Sequence, residues 1–481
     1  MSESIAEMVI PGTYIEVRAE GLIAVGAIAT GNIGIVGTAS RGPVAQVRAI
    51  GSLGEAIDLF GLSDPFGDPR LADSPLTLVR TLEQAFGSGA RNVFAVRAAN
   101  GTPTPANLPV LSAGNLAAFT LTARDSPDEN GDAIADSSGT WGRDISLVIA
   151  LDTSTGATRW RLVLVYRTLR EVYEGANVGE IHTQLSNSRL VTVGAVANAG
   201  SDLLPINTAL LGGTDGANVT PGDILPALAE LEPQPVNILL IGGLGANVIG
   251  TVVAGHLERT ENDGRERIAI LGARASGSAT SATGVEQDSD ATADDRIVLV
   301  APGLVATDST TGRDVTLPPS YMAASVGAML STLAPHVSLT NKVLPVRPAV
   351  RYSSALTSNL LGRRVLVVRQ KFGAQVVRGL TSSPPPFTQI SIRRIVDFAK
   401  AGVRLGADPY IGRLNNARVR AALKATLNGF LSQMVLDEML VSYALDVSAT
   451  RDQERQGLCA VVMTLRPTFS IDFIRVTMNL E

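Results

Sequence analysis

The side chains able to do chemistry are few and scattered. His182, His256 and His336 are the only histidines, and none has an acid partner in a pattern that would build a hydrolytic triad. Cys459 is the sole cysteine, which rules out an intrachain disulfide framework and leaves a Cys/His zinc centre short of ligands. Its alternation with Val461, Met463 and Leu465 marks it as one side chain on the buried face of a strand. Gly242-Gly243-Leu244-Gly245 stands between a predicted strand and a predicted helix, where backbone N–H groups could cradle a phosphate. Val248 occupies the place of the third glycine of a dinucleotide fingerprint, so the stretch reads as a plain strand-to-helix turn. Gly212-Gly213-Thr214-Asp215-Gly216 offers a single carboxylate, too little for a hard cation, and reads as a turn as well. P-loop, HExxH, GxSxG and CxxC patterns are absent. The expectation is a protein that is not an enzyme and holds no cofactor and no metal.

The elements around these residues are more telling. Pro11-Gly12-Thr13-Tyr14-Ile15-Glu16-Val17 reads as a turn feeding a strand, with Tyr14, Ile15 and Val17 as its apolar residues. Ile474, Val476, Met478 and Leu480 alternate with Arg475, Thr477 and Asn479, a period of two that predicts a strand with one face buried. Neither strand has an obvious partner nearby in sequence, and unpaired strands are either covered or used for pairing with another chain. The acidic first seven residues lack a signal peptide's basic region, and no apolar run reaches the roughly 20 residues of a spanning helix. Membrane insertion is therefore not expected.

With 481 residues, 45% of them hydrophobic and 18% charged, the chain should form several cored domains whose surface is unusually poor in charge. Helix and strand patterns alternate over 22–100 and again over 202–345, which signals an α/β layer. Between them, 101–201 loses helical periodicity and reads as a β-rich insertion, with strands at Ile145–Leu151 and Trp160–Tyr166. The sequence thus predicts an α/β multidomain chain: an N-terminal arm strand (1–21), a discontinuous α/β domain (22–100 and 202–345), an inserted β-rich domain (101–201), and a C-terminal helix-and-meander domain (346–481). Ser276–Asp295, rich in Ser, Ala, Thr and Asp, is expected to be a loop with little to pack. Three strands should close the chain, at Val441–Val447, Leu458–Leu465 and Ile471–Leu480.

Charge is lopsided. Lys342–Lys424 holds 16 Lys and Arg against Asp397 and Asp408, a balance of +14, while the rest of the chain carries −19. Such asymmetry suits a polyanion or a neighbouring copy of the same chain. In the helix carrying Ile392, Ile395, Val396, Ala399 and Val403 on one face, Arg393, Arg394 and Lys400 fall outside that face. With Arg404 and Arg413 they are expected to present a basic surface to a partner. A nucleic-acid binder using 342–424, and a small-molecule-binding α/β enzyme using the Gly242–Gly245 turn, are the competing readings. Aromatic residues, at 4%, are too few for a single-strand stacking platform.

Several motifs in order resemble those of the contractile tail sheath proteins of bacteriophages and contractile injection systems. They are the Pro11–Val17 start, Gly34–Pro43 with its Arg41-Gly42-Pro43 turn, the helix at Ser52–Gly61, Trp141-Gly142-Arg143-Asp144-Ile145, Leu211–Gly216, and Ile392-Arg393-Arg394. Arg143 departs from the family's usual Asn. The resemblance implies a non-enzymatic subunit that polymerises as stacked hexameric rings around a tail tube protein, between a baseplate and a tail terminator. Terminal arms would complete a sheet in neighbouring subunits, and contraction would drive the tube through a target envelope. It also implies a place in the virion tail or an injection particle assembled in the host cytoplasm, with no direct contact to nucleic acid. Under this reading Tyr14, Ile15, Val17, Ile474, Val476, Met478 and Leu480 are the inter-subunit arms. Arg393, Arg394, Lys400, Arg404 and Arg413 face the tube or a neighbour.

Overall fold

The computed structural model describes residues 28–63, 76–124, 138–152, 159–274, 282–308 and 312–479. Tyr14, Ile15, Val17 and Leu480 lie outside the described residues. The chain divides into two compact units, one of Gly31–Leu333 with Leu339–Thr388, the other of Met1–Thr30, Ala334–Ser338 and Gln389–Glu481.

The larger unit is built on a nine-stranded sheet. Its order is Val343–Leu344, Ala374–Val376, Leu366–Gln370, Ile297–Ala301, Ile268–Gly272, Ile238–Gly245, Ile33–Gly37, Val93–Arg97, Val47–Ile50. The six central strands are parallel, and antiparallel strands finish both edges. Ile33–Gly37, Ile268–Gly272 and Ile297–Ala301 are buried at every position, because helices cover both faces. Leu228, Ile249, Val253 and Leu360, from three helices on one face, pack with Leu239, Leu271 and Leu299 of the sheet. On the other face lies helix Pro319–Ser331. There a Cβ on Gly327 would stand 2.8 Å from Leu240 Cδ2, so the glycine sets how closely helix and sheet approach.

Two four-stranded antiparallel sheets fill the β-rich insertion. One orders as Ile206–Ala209, Ser146–Asp152, Arg159–Tyr166, Leu169–Gly175, the other as Leu211–Thr214, Thr104–Ser112, Leu116–Ala123, Val191–Val193. Their inner faces share one core, with Leu108, Leu121, Trp141, Leu147, Leu162 and Leu164 in it. The insertion's sheets draw in two strands beyond residue 201, so its pairing continues to Thr214. It also contains a helix, Val178–Leu185, capped by the Asn177 side chain, which accepts from the Glu180 N–H.

One expectation is overturned in the larger unit. The stretch read as a loop over Ser276–Asp295 contains helix Ala282–Ala291. Val285 reaches the core, and the buried Asp288 carboxylate accepts from the Arg274 backbone N–H and Nε, both at 2.9 Å. Among the described side chains, one apolar anchor and one ion pair leave no amphipathic stripe for a sequence to show.

In the smaller unit, helix α1 (Ile390–Ala407) and helix α2 (Ala417–Leu436) pack beneath a hairpin of β1 (Leu440–Ser448) and β2 (Ala460–Pro467). Ile395, Ala399, Leu431, Met434, Met439 and Leu440 form its core, with Phe398 and Phe430 beside them at 5.8 Å between ring centroids. A Cβ on Gly402 would fall 1.9 Å from Phe430 Cζ, so glycine is what lets the two helices close on that ring. Asn416 starts α2 by accepting from the Val419 N–H. Between β1 and β2 the charged stretch forms a short helix, Arg451–Arg455, held by a Thr450/Gln453 capping box.

Candidate assembly interface

The hairpin is where the C-terminal domain stays incomplete. Tyr443, Leu445, Met463 and Leu465 turn inward, while Val441 and Val462 are exposed on the outer side. Among the described residues, strands β1 and β2 pair only with each other, so each keeps an outer edge of backbone donors and acceptors. The third strand expected over Ile471–Leu480 is not present among the described residues, since 468–479 carry no ladder. The first part of this segment is tethered. Thr468 N–H donates to Met439 O at 3.1 Å, and Gln389 Nε2 donates to Asp472 Oδ2 at 3.0 Å. Beyond it, Ile474, Val476 and Met478 are 82%, 74% and 85% exposed. The apolar side chains anticipated for a strand are present, and none of the described residues covers them.

Phe469, Ile471 and Phe473 are exposed as well. Their odd-numbered spacing changes to even between Phe473 and Ile474. A strand with a one-residue bulge at that point would bring both sets onto one face.

The five basic residues separate into two groups. Arg393 and Arg394, expected on an exposed surface, are buried. Arg393 Nη2 pairs with Asp397 one turn along at 2.7 Å. Arg394 donates through Nη1 to Ala334 O at 3.3 Å and through Nη2 to Thr30 O at 3.1 Å. Burial pulls its pKa down to about 10, with Asp397 acting in the opposite direction. Arginine reaches carbonyl acceptors supplied by chain far away in sequence, so polar residues beside an apolar stripe can be interior. Lys400 is half-buried, and Arg404 and Arg413 are exposed. Arg413 bonds Pro409 O through Nε at 2.9 Å and lies over the Tyr410 ring at 5.2 Å.

The remaining motifs meet at the joint between the insertion and the nine-stranded sheet. Asp215 of the Gly-Gly-Thr-Asp-Gly turn accepts from the backbone N–H and the hydroxyl of Thr140, both at 2.6 Å. Its pKa is nonetheless raised, because burial outweighs these bonds. Arg143 holds the same turn, donating to Gly212 O at 2.7 Å and Gly213 O at 3.0 Å. Arg41 stacks over Trp141 at 4.5 Å, and Trp141 meets Tyr166 edge-on. Buried Arg97 donates to Gly42 O, Ser138 O and Asp215 O, tying sheet and insertion together. The residues of three separate motifs thus make one structural joint. Arg97 is the member that sequence reasoning missed, since an arginine ending a strand gives no sign of what it bonds.

The Gly242–Gly245 turn packs closely against Thr77 and Thr81 at the start of helix Leu78–Gly87. A Cβ on Gly242 would come within 2.6 Å of Thr81 Oγ1 and 3.0 Å of Thr77 Oγ1, and one on Gly243 within 2.3 Å of Thr77 Cγ2, so these glycines make room for the two threonines. Among the described residues no group of His, Cys, Asp or Glu is arranged to hold a metal, and no helix is long and apolar enough to cross a membrane.

Residues 382–481 match the family described as the phage tail sheath C-terminal domain. This C-terminal part of the chain resembles that of tail sheath proteins. The rest of the chain agrees in fold. It is similar to the sheath tail protein from Desulfitobacterium hafniense, with a TM-score of 0.63 and 16% identity over 95% of this chain and 100% of that one. It is also similar to the sheath of an extracellular contractile injection system solved in the contracted state, with a TM-score of 0.57 and 13% identity over 98% of both chains. The tail sheath protein of Mycobacterium phage Bxz1 is 23% identical over 299 residues, 59% of this chain. That match spans about half of the phage protein's own length, 49%.

Proposed function

We propose that the chain is the structural subunit of a contractile tail sheath, which polymerises as stacked rings around a tail tube and shortens to drive the tube through a target envelope. The observation that carries this reading is the incomplete C-terminal domain: a two-stranded sheet with open edges, followed by an extended segment whose apolar side chains face water. Donation of Ile474, Val476 and Met478 to a neighbour's hairpin would bury them and satisfy both backbones, a permanent form of strand addition. Tyr14, Ile15 and Val17 are proposed as the second arm. Lys400, Arg404 and Arg413 are the basic residues proposed to meet the tube or a neighbour, whereas Arg393 and Arg394 position α1 from inside. A baseplate and a terminator would bound the polymer, and the energy for shortening would come from the assembled lattice.

The test is negative-stain microscopy and sedimentation of the purified full-length chain beside a variant ending at Ser470. The full chain is expected to form ringed tubes, and the shortened one to stay dispersed with an unchanged melting transition. Long tubes from the shortened chain would refute strand donation by this segment.

A further inference from the structure

At the carboxyl end of strand Leu366–Gln370 lies an open cavity of about 440 Å³ lined in part by Arg351, Arg369 and Lys371. Helix Ser354–Gly362 runs back along the sheet before this strand, so the helix N-terminus, which favours negative charge, lies at the strand's carboxyl end. Leu361 and Val377 give the cavity an apolar floor, and Phe372, at the tip of the adjoining hairpin, is 86% exposed. The three cations are exposed and have no carboxylate partner among the described residues. An aromatic tip beside arginines without carboxylate partners, with apolar side chains in the lining, is the composition of a protein-binding hot spot.

The complementary charge is on the same helical layer of the same molecule. Residues 202–295 carry 14 Asp and Glu against four Arg. Helices Pro221–Leu231 and Ala246–Asn262 present Glu230 and Glu258 to solvent, exposed and without an ion pair among the described residues. These helices and Ser354–Gly362 share one core against the sheet. The cavity lies toward the edge that holds Leu366–Gln370, while Pro221–Leu231 packs near the opposite edge, on Val93–Arg97 and Ile33–Gly37. A basic end and an acidic end on one layer cannot satisfy each other within one copy. They fit head to tail between copies, the geometry that generates rings and helical filaments.

We infer that the Arg351–Arg369–Lys371 cavity is a second, strand-independent contact, taking the Glu230 and Glu258 surface of another copy of this chain. The inference rests on the polymerising function proposed above, and its test needs neither tubes nor exchanged strands. Full-length protein with Ile474→Asp and Val476→Asp, whose arm is blocked, is examined by sedimentation velocity at low and high salt. Weak association that salt abolishes is expected. Adding Arg369→Glu with Lys371→Glu should weaken it roughly tenfold or more, as should Glu230→Arg with Glu258→Arg, each with an unchanged melting temperature. Mixing the two charge-reversed proteins should restore association. No salt-sensitive association in the arm-blocked parent, unchanged association after Arg369→Glu with Lys371→Glu, or no recovery on mixing would each overturn the contact. Absence of tubes from the wild-type chain would instead count against the sheath reading.

Discussion

Arg97, Arg267 and Arg394 each direct a buried guanidinium at backbone carbonyls distant in sequence. Arg267 takes Leu231 O, Glu232 O and Gln234 O, so it finishes the C-terminal turn of helix Pro221–Leu231 as a cation placed on the last carbonyls. It also meets His256, whose Nε2 stands 3.1 Å from Arg267 Nη1 and whose Nδ1 lies 3.6 Å from Glu232 Oε1. Burial pulls the His256 pKa down to about 3, helped by repulsion from Arg267 and Arg259. The folded chain therefore keeps this imidazole neutral, whereas the unfolded chain protonates it near pH 6.5. Between those values the unfolded state binds more protons. Stability is accordingly complete above pH 6.5 and is lost as pH falls toward 3, by on the order of 5 kcal/mol over the whole window. His256→Asn should lower the melting temperature at pH 7 and flatten its fall between pH 6.5 and 4.5 relative to wild type. Parallel curves for the two proteins would mean that carboxylates elsewhere, and not His256, set the acid sensitivity.

At the scale of elements, the tail segment is set apart from the fold it follows. Ile474, Val476 and Met478 are too exposed to support the domain that carries them. The double substitution Ile474→Asp, Val476→Asp should thus leave thermal unfolding of the isolated chain within about 0.5 kcal/mol of wild type and prevent tube formation. Val476→Pro should act in the same direction by removing one ladder donor. A large drop in melting temperature for either variant would place the segment in an intrachain core. The apolar alternation of this segment was legible in the sequence because a period of two shows in its own residues, but the strand it predicted is not present among the described residues. Ile33–Gly37 and Ile297–Ala301 were legible for the related reason that strands buried on both faces are unbroken apolar runs. Their neighbours were not. Gly34 lies opposite Leu239, and nothing local specifies that register. The burial of Arg393 and Arg394 was hidden for the same cause, since the groups that accept from Arg394 belong to Thr30 and Ala334. Helix Ala282–Ala291 is the opposite case, stabilised by Val285 and the Arg274–Asp288 pair without a periodic stripe.

For the molecule as a whole, the β-rich insertion enters and leaves the α/β layer at one point. Asn100 N–H donates to Gly216 O at 2.7 Å, and Asn100 Nδ2 donates to Asn218 O at 2.9 Å, so the two ends are already adjacent. The insertion has its own core, and its closing strands Ile206–Ala209 and Leu211–Thr214 pair inside it. Replacing residues 101–215 by about three Gly and Ser residues should therefore leave the nine-stranded sheet folded, because so short a closure costs little chain entropy. The expected penalty falls on Arg97, which would keep Gly42 O but lose Ser138 O and Asp215 O. An under-bonded buried guanidinium costs about 1–3 kcal/mol, and adding Arg97→Met should recover part of it by removing the charge. If the lattice is carried by the C-terminal arm and the helical layer, the shortened chain will still polymerise, into thinner tubes that remain sensitive to Ile474→Asp, Val476→Asp. A shortened chain that unfolds cooperatively yet never forms tubes, with or without Arg97→Met, would show that the insertion itself is a lattice contact.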